Sequence, residues 1–211
     1  MKEIEQPRRI GVLGGTFDPV HNGHLHIARE LRKALGLERV IWVPAGRSPH
    51  KAGQIVSSDQ DRLAMLELAL AGSPSDQIST IDVDRSGPSY TADMLEMLRD
   101  QVFPSTLVFL MGEDSLRDLP TWHEPQRILR VAELAVAGRP GSDAHLDAIT
   151  RAIPALSGRV HLASTEEVPV SSSDIRKRVG GNRSIHGLVP PDVEAYIREH
   201  GLYTRHADDI D

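Results

Sequence analysis

Two histidines three residues apart, His21 and His24, are the first residues whose types and spacing suggest chemistry. They lie in the run Gly14-Gly15-Thr16-Phe17-Asp18-Pro19-Val20-His21-Asn22-Gly23-His24-Leu25. A spacing of three puts both imidazoles on one face of a helical first turn. Gly14 and Gly15 lack a Cβ, so the backbone can turn tightly there and a ligand can come close. Gly23 is read as leaving room for something bulky and flat above the backbone. A helix start offers N–H groups without intrahelical partners and a partial positive charge, which favour anions. Each feature alone has a structural explanation, since Gly-Gly often follows a strand and a histidine in a first turn can simply cap it. Together they describe a phosphate-handling site. Zinc on His21, His24 and His26 is set aside, because helical zinc pairs usually sit four apart with a glutamate that is missing here.

Other residues could join them. Ser171-Ser172-Ser173-Asp174-Ile175-Arg176 opens a helix, and Arg176, Lys177, Arg178 and Arg183 cluster in an otherwise acidic chain. Three hydroxyls at a helix start cap it or hold phosphate oxygens, and Arg176 one turn in favours an anion cradle. Gly112-Glu113-Asp114-Ser115 follows an apolar run and marks a second strand-end site. Lys51 lies in the basic, glycine-containing loop 45–53, where a solvated loop is the plain reading and mobile functional loops share the composition. Trp122 has a flat face for an aromatic ligand; on its own residue type it reads as half-buried core. The chain has no cysteine and no Gly-x-Ser-x-Gly elbow, which excludes thiol catalysis, thiolate zinc and that serine nucleophile.

The elements that must position these residues follow from apolar periodicity. Strands are expected at about Arg9–Leu13, Val40–Val43, Ile78–Val83, Thr106–Met111, Val131–Ala137 and Val160–Ala163. Helices are expected over Asn22–Leu35, stopped by Gly36, after the cap Ser58-Asp59 with Leu63, Leu66 and Leu70 facing inward, and over Ala92–Asp100. Residues 142–158 carry helical spacing, Ser171 starts another helix and Pro190-Pro191-Asp192 the last. Leu119-Pro120-Thr121-Trp122-His123 lies between short helical pieces, and Trp42 reads as core. Alternating strands and helices of this kind give an α/β, doubly wound parallel sheet. In such sheets ligands bind at the carboxyl ends of the strands, where the glycines and histidines stand.

The chain is 211 residues long with a formal charge of −6. That length suits a single domain over 1–211 with a frayed tail at about 204–211. The negative charge argues against a nucleic-acid coat or a membrane-surface binder. No apolar run reaches the ~18 residues of a membrane helix and no signal-peptide core follows the polar start. A cytoplasmic protein with no nucleic-acid or membrane partner is expected; oligomeric state is left open, a homo-oligomer included.

The run Gly14–Leu25 resembles the nucleotidyltransferase superfamily with its His-x-Gly-His signature. Pro49-His50-Lys51, Gly87-Pro88-Ser89-Tyr90-Thr91, Gly112-x-Asp114-Ser115, Pro120-Thr121-Trp122 and Arg139-Pro140-Gly141 narrow the resemblance to the bacterial nicotinate mononucleotide adenylyltransferases. So does the ending Leu188-Val189-Pro190, Tyr196-Ile197 and Gly201-Leu202-Tyr203. The serine cluster is similar to that family's Ser-Ser-Thr-x-Ile-Arg segment, with Ser173 in place of the threonine, so the hydroxyl survives. The resemblance runs from Gly11 to Tyr203 and implies a Rossmann-like nucleotidyltransferase fold. It implies adenylyl transfer from ATP to nicotinate mononucleotide, releasing pyrophosphate, with no covalent enzyme intermediate and with Mg2+ arriving on ATP. His21, His24, Lys51 and Arg176 would then act on the phosphates. Gly14, Gly15, Thr16, Phe17, Gly23, Gly112, Asp114, Ser171, Ser172 and Ser173 would bind ATP, and Tyr90, Thr91 and Trp122 the pyridine nucleotide. The alternatives are a relative using nicotinamide mononucleotide or phosphopantetheine, and a nucleotide sensor without catalysis. A nicotinamide dehydrogenase is disfavoured, because glycines at 11, 14 and 15 do not make Gly-x-Gly-x-x-Gly.

Overall fold

A computed structural model describes residues 8–46, 57–138, 143–166 and 168–204. The expectations for Lys51, Pro49-His50-Lys51, Arg139-Pro140-Gly141 and the tail beyond Thr204 lie outside those residues. The strands are β1 (Arg9–Gly15), β2 (Arg39–Pro44), β3 (Asp76–Ile78), β4 (Thr106–Gly112), β5 (Ala132–Gly138) and β6 (Val160–Ser164). The helices are α1 (Asn22–Leu35), α2 (Asp59–Leu70), α3 (Thr91–Val102), α4 (Glu113–Asp118), α5 (Pro125–Val131), α6 (Asp143–Ala152), α7 (Ser172–Gly180) and α8 (Pro191–Glu199). The strands form one parallel sheet in the order β3-β2-β1-β4-β5-β6, the doubly wound arrangement expected from the alternation.

Strand side chains alternate between faces with period two, so each strand feeds two cores. Ile41 and Val43 of β2 and Leu107, Phe109 and Met111 of β4 enter one core, with Leu95, Leu116 and Ile128 from α3, α4 and α5. Val40, Trp42, Val108 and Leu110 enter the other, with Leu31, Leu66, Ile175 and Ile197 from α1, α2, α7 and α8. Trp42 is core, as expected, and its indole N–H donates to Asp76 at 2.8 Å. Gly36 closes α1 at φ +60, a conformation that suits glycine, and Ser58 caps α2 by accepting the Asp61 N–H at 3.1 Å.

Two local expectations are corrected. The third strand is Asp76–Ile78, not Ile78–Val83. Its pairing with β2 ends as the Ser79 N–H reaches Trp42 O at 2.9 Å, and a turn closed by the Asp84 N–H on Thr80 O follows. Asp82 in that turn is buried and takes the Arg85 Nε–H at 2.6 Å. The inward face of α2 carries Arg62, Met65, Leu66 and Leu70, so the stripe is rotated from Leu63 and includes a fully buried arginine.

One feature of the sheet makes the site. β1 and β4 pair from Arg9↔Thr106 to Val12↔Phe109, yet both strands run on, to Gly15 and Gly112. Strand order reverses at this junction, and the two carboxyl ends part there. An open α/β sheet binds ligands in such a crevice.

Candidate active site

The site grows from the turn between β1 and α1. His21 is the N-cap of α1, in extended conformation, and its Nδ1 accepts the His24 N–H at 3.4 Å. His24 Nδ1 in turn accepts the His21 N–H at 3.3 Å. This is a reciprocal capping box built from two imidazoles instead of a hydroxyl and a carboxamide. A neutral ring that accepts at Nδ1 carries its proton on Nε2. Both rings therefore present an Nε2–H donor, the polarity a phosphate needs. The rings stack with centroids 3.6 Å apart and an 18° tilt. The capping and the functional explanations of these histidines are thus compatible.

The glycines differ in what they permit. A Cβ on Gly15 would fall 2.9 Å from the Phe17 ring, whereas one on Gly14 would make ordinary 3.5 Å contacts with Met94 and Phe109. Gly23 does not leave open room, which corrects the reading above: its missing Cβ is replaced by Val170 at 3.0 Å and the His21 ring at 3.1 Å. The Phe17 side chain belongs to the core. The residue takes φ +50, is 1% exposed, and sets its ring edge-on to His24 at 5.1 Å with Trp42 behind it. Its ring buttresses a histidine.

Four side chains from three distant elements hold this turn. Arg62, wholly buried on α2, donates from Nη1 to Thr16 O at 2.6 Å and pairs with Asp59. Ser172 Oγ donates to Pro19 O at 2.9 Å, and Arg176 Nη1 to Asp18 O at 2.7 Å. The Tyr203 hydroxyl, from the segment after α8, donates to Asp18 Oδ1 at 2.8 Å. Burial and the charge of Asp18 push that phenol well above its ordinary range. Ser171 caps α7 through the Asp174 N–H at 3.1 Å and meets Ser173 Oγ at 3.1 Å. The expected anion cradle is therefore engaged with the turn's own carbonyls, and neither the three serines nor Arg176 lines the two cavities described next. Arg62, Asp18 and Tyr203 were missed from sequence. A charged residue on the rotated stripe of α2 was the available signal for Arg62; Tyr203 had none beyond its place in the ending motif.

The crevice holds two adjoining cavities. The larger, about 820 Å³, is lined by His21, Gly23, His24, Gly112 and Asp114, among others. The smaller, about 310 Å³, is lined by Ser89, Tyr90, Thr91, His123 and Asp82, among others. Gly14, Gly15, Thr16, Phe109, Ser115 and Trp122 line both, so the turn under the histidines is their common floor. Trp122 stands edge-on to Phe109 at 6.1 Å, and Tyr90 stacks on His123 at 4.0 Å. Tyr90 is the N-cap of α3 and supplies no side-chain cap bond, so the first N–H groups of α3, beginning with Thr91, have no capping side chain. Asp82 takes the Gly46 N–H at 3.2 Å on the far wall. Among the described residues no group of three histidines and carboxylates is arranged to hold a metal ion. His26 lies one residue beyond the pair's face and meets Arg29 at 3.3 Å.

Fold and site together define a nucleotidyltransferase. A family model described as cytidylyltransferase-like matches residues 12–178, from β1 into α7. A protein of Thermomicrobium roseum named "Probable nicotinate-nucleotide adenylyltransferase" is 51% identical over 195 residues, covering 92% of this chain and 91% of that one. A like-named protein of Roseiflexus sp. (strain RS-1) is 46% identical over 194 residues, covering 92% and 97%. The chain therefore belongs to the nicotinate-nucleotide adenylyltransferase family, within the cytidylyltransferase-like class. The fold matches that of Plasmodium falciparum nicotinic acid mononucleotide adenylyltransferase complexed with NaAD, with a TM-score of 0.75 at 18% identity over 93% of this chain and 97% of that one.

Proposed function

We propose that the protein transfers the adenylyl group of ATP to nicotinate mononucleotide, giving nicotinate adenine dinucleotide and pyrophosphate, a step of NAD biosynthesis. The observation that carries this reading is the pair of cavities meeting on Gly14-Gly15-Thr16 beside two stacked histidines. ATP takes the larger cavity and the mononucleotide the smaller. An oxygen of the mononucleotide 5′-phosphate attacks the α-phosphorus, a new P–O bond forms, and the bond to the β-phosphate bridge breaks with its electron pair leaving on pyrophosphate. The attacking phosphate is already ionised near neutral pH and needs no base. The chain's work is positioning and charge stabilisation. His21 and His24 donate from Nε2–H to phosphate oxygens as charge moves onto the leaving group, helped by the α1 start and Thr16. Ser172 and Arg176 act by fixing the turn that carries these donors, and Lys51 and Arg176 are the cations assigned to the phosphates. Mg2+ enters as part of MgATP, carried by phosphate oxygens and water.

For the acceptor, the α3 start near Tyr90 and Thr91 supplies N–H donors for a pyridine carboxylate, and Trp122 a face for the ring. Donors favour a carboxylate through charge-assisted hydrogen bonds and leave a carboxamide NH2 facing other donors. The reading places the enzyme in the cytoplasm, with no nucleic-acid partner. Pyrophosphate release by the purified protein with ATP and each of nicotinate mononucleotide, nicotinamide mononucleotide and phosphopantetheine tests it. A clear preference in kcat/KM for the nicotinate compound is expected. Equal turnover of acid and amide would overturn the donor-lined pocket, and turnover of phosphopantetheine alone would overturn the reading.

A further inference from the structure

Trp122 and His123 reach the acceptor cavity from a strained place in the chain. The next residue, Glu124, takes φ +46 and ψ +57, a left-handed conformation rarely held by a residue with a side chain. It is the N-cap of α5, and it sets the angle at which the Trp122–His123 wall leaves that helix. Something must hold it there. Glu124 Oε2 accepts from Arg127 Nη1 at 2.7 Å and lies 3.2 Å from His123 Nε2. The same guanidinium crosses to α3, where Nε and Nη2 take both oxygens of Glu96 at 3.1 and 2.6 Å and Nη2 meets Asp93 at 2.9 Å. Asp93 and Glu96 are two and five residues beyond Thr91, on the helix whose start lines the same cavity. Its hydrogen bonds hold the Glu96 and Glu124 carboxyls below the usual carboxylate range. From Asp93 the contacts continue to Arg85, at 3.9 Å, and on to the cavity-lining Asp82.

A lone surface ion pair adds little, but a two-pronged arginine joining several carboxylates fixes geometry. We propose that Arg127 is a positioning residue for the acceptor: it fixes how α5 meets α3, where Tyr90 stacks on His123 at 4.0 Å, and so where Trp122 and the α3 start stand around the cavity for a flat pyridine ring. The proposal rests on the reading that this cavity takes the mononucleotide. Arg127 itself touches no reacting atom. Its effect should therefore fall on one substrate only.

The test uses Arg127→Met, Arg127→Lys and Glu124→Gln in the full chain. Arg127→Met should raise KM for nicotinate mononucleotide about tenfold, as misplaced binding groups do, and leave KM for ATP unchanged. Arg127→Lys keeps the charge but loses the fork and should fall between. Glu124→Gln removes the charge of one arm only, and should show the same split more weakly. Acrylamide quenching of tryptophan provides a readout without substrate: Trp42 is 1% exposed, so added quenching in Arg127→Met reports a loosened Trp122. Equal rises in both KM values would overturn the proposal. So would parental acceptor KM and quenching in folded Arg127→Met, or parental kinetics in Glu124→Gln if Arg127→Met does not fold. Should the parent protein use no pyridine mononucleotide, the reading of the cavity fails, while quenching still reports whether Arg127 holds the wall.

Discussion

At the scale of residues, the proposed function gives each histidine of the pair two jobs. His24 caps the backbone of His21, stacks on its ring and leans on Phe17. In the proposed function its Nε2–H is the part that senses the reaction. His24→Ala should lower kcat by about 10²–10³, the effect of removing one preorganised donor, with ATP affinity little changed. The same change loses a cap and should cost about 1 kcal/mol of stability. His24→Gln separates the two effects, since glutamine at this position of a capping box restores the cap without the imidazole. A His24→Gln enzyme with parental kcat, measured by pyrophosphate release, would refute the donor role. The glycines give a second prediction. Gly15→Ala drives a methyl into a Phe17 ring that has nowhere to go, and should cost about 1–3 kcal/mol and slow catalysis through His24. Gly14→Ala meets only ordinary contacts and should fold normally while raising KM from the shared cavity floor. Thermal melts and kinetics of the two variants decide it; equal melting temperatures would remove Phe17 as a buttress.

At the scale of elements, the segment after α8 is tied to the turn after β1. Tyr203 takes φ +64 to bring its hydroxyl to Asp18, a carboxylate 1% exposed. Tyr203→Phe loses a hydrogen bond to a charged group and should cost about 1.5–3 kcal/mol. The pH dependence follows from the raised phenol. In the unfolded chain this tyrosine ionises near its ordinary value of about 10, whereas folding keeps it neutral beyond that pH. The unfolded state therefore binds fewer protons there, and the contribution is complete below pH about 10 and is lost as pH rises above it. Urea titrations of parent and Tyr203→Phe should show a stability gap that closes at alkaline pH. A gap that stays constant across that range would show the hydroxyl to be unimportant.

At the scale of the whole molecule, the reversal of strand order opens the crevice and the helices on one face pin the loop that fills it. Arg62 is the long reach: α2 lies on the far side of loop 45–57 in sequence, yet its guanidinium holds Thr16 O in the cavity floor. An arginine with no exposed surface needs partners for its donors; Thr16 O and Asp59 supply them for Nη1 and Nη2, while Nε is buried without a hydrogen-bond partner. Arg62→Met keeps the stem's apolar contacts and leaves Thr16 O without this donor. It should cost about 1–3 kcal/mol, and it should lower affinity for ATP and acceptor together because both cavities share that floor. Calorimetry and the two KM values check this; a change confined to one substrate would show that the floor does not act as a unit.

What could be read from sequence was what has a local signature. The strand-helix alternation shows in apolar periods of two and three to four, Gly36 and Ser58 mark helix ends, and His-x-Gly-His after a glycine turn marks a candidate phosphate site. The doubly wound sheet and the position of the histidines follow from those. The third strand was misplaced because an edge strand of three residues has almost no period to detect. The rest depends on docking. Asp18 and Tyr203 are 185 residues apart, Asp18 and Arg176 are 158, and Thr16 and Arg62 are 46. No pattern around Arg176 says that its fork turns to a loop carbonyl, and nothing beside Gly23 says that Val170 fills its space. The sequence determined which residues gather as candidates around the turn after β1 because turns and caps are written in neighbouring residues. Only the tertiary structure decided which of them face the cavities and which hold the turn, because burial and partnership are settled by elements that meet from opposite ends of the chain.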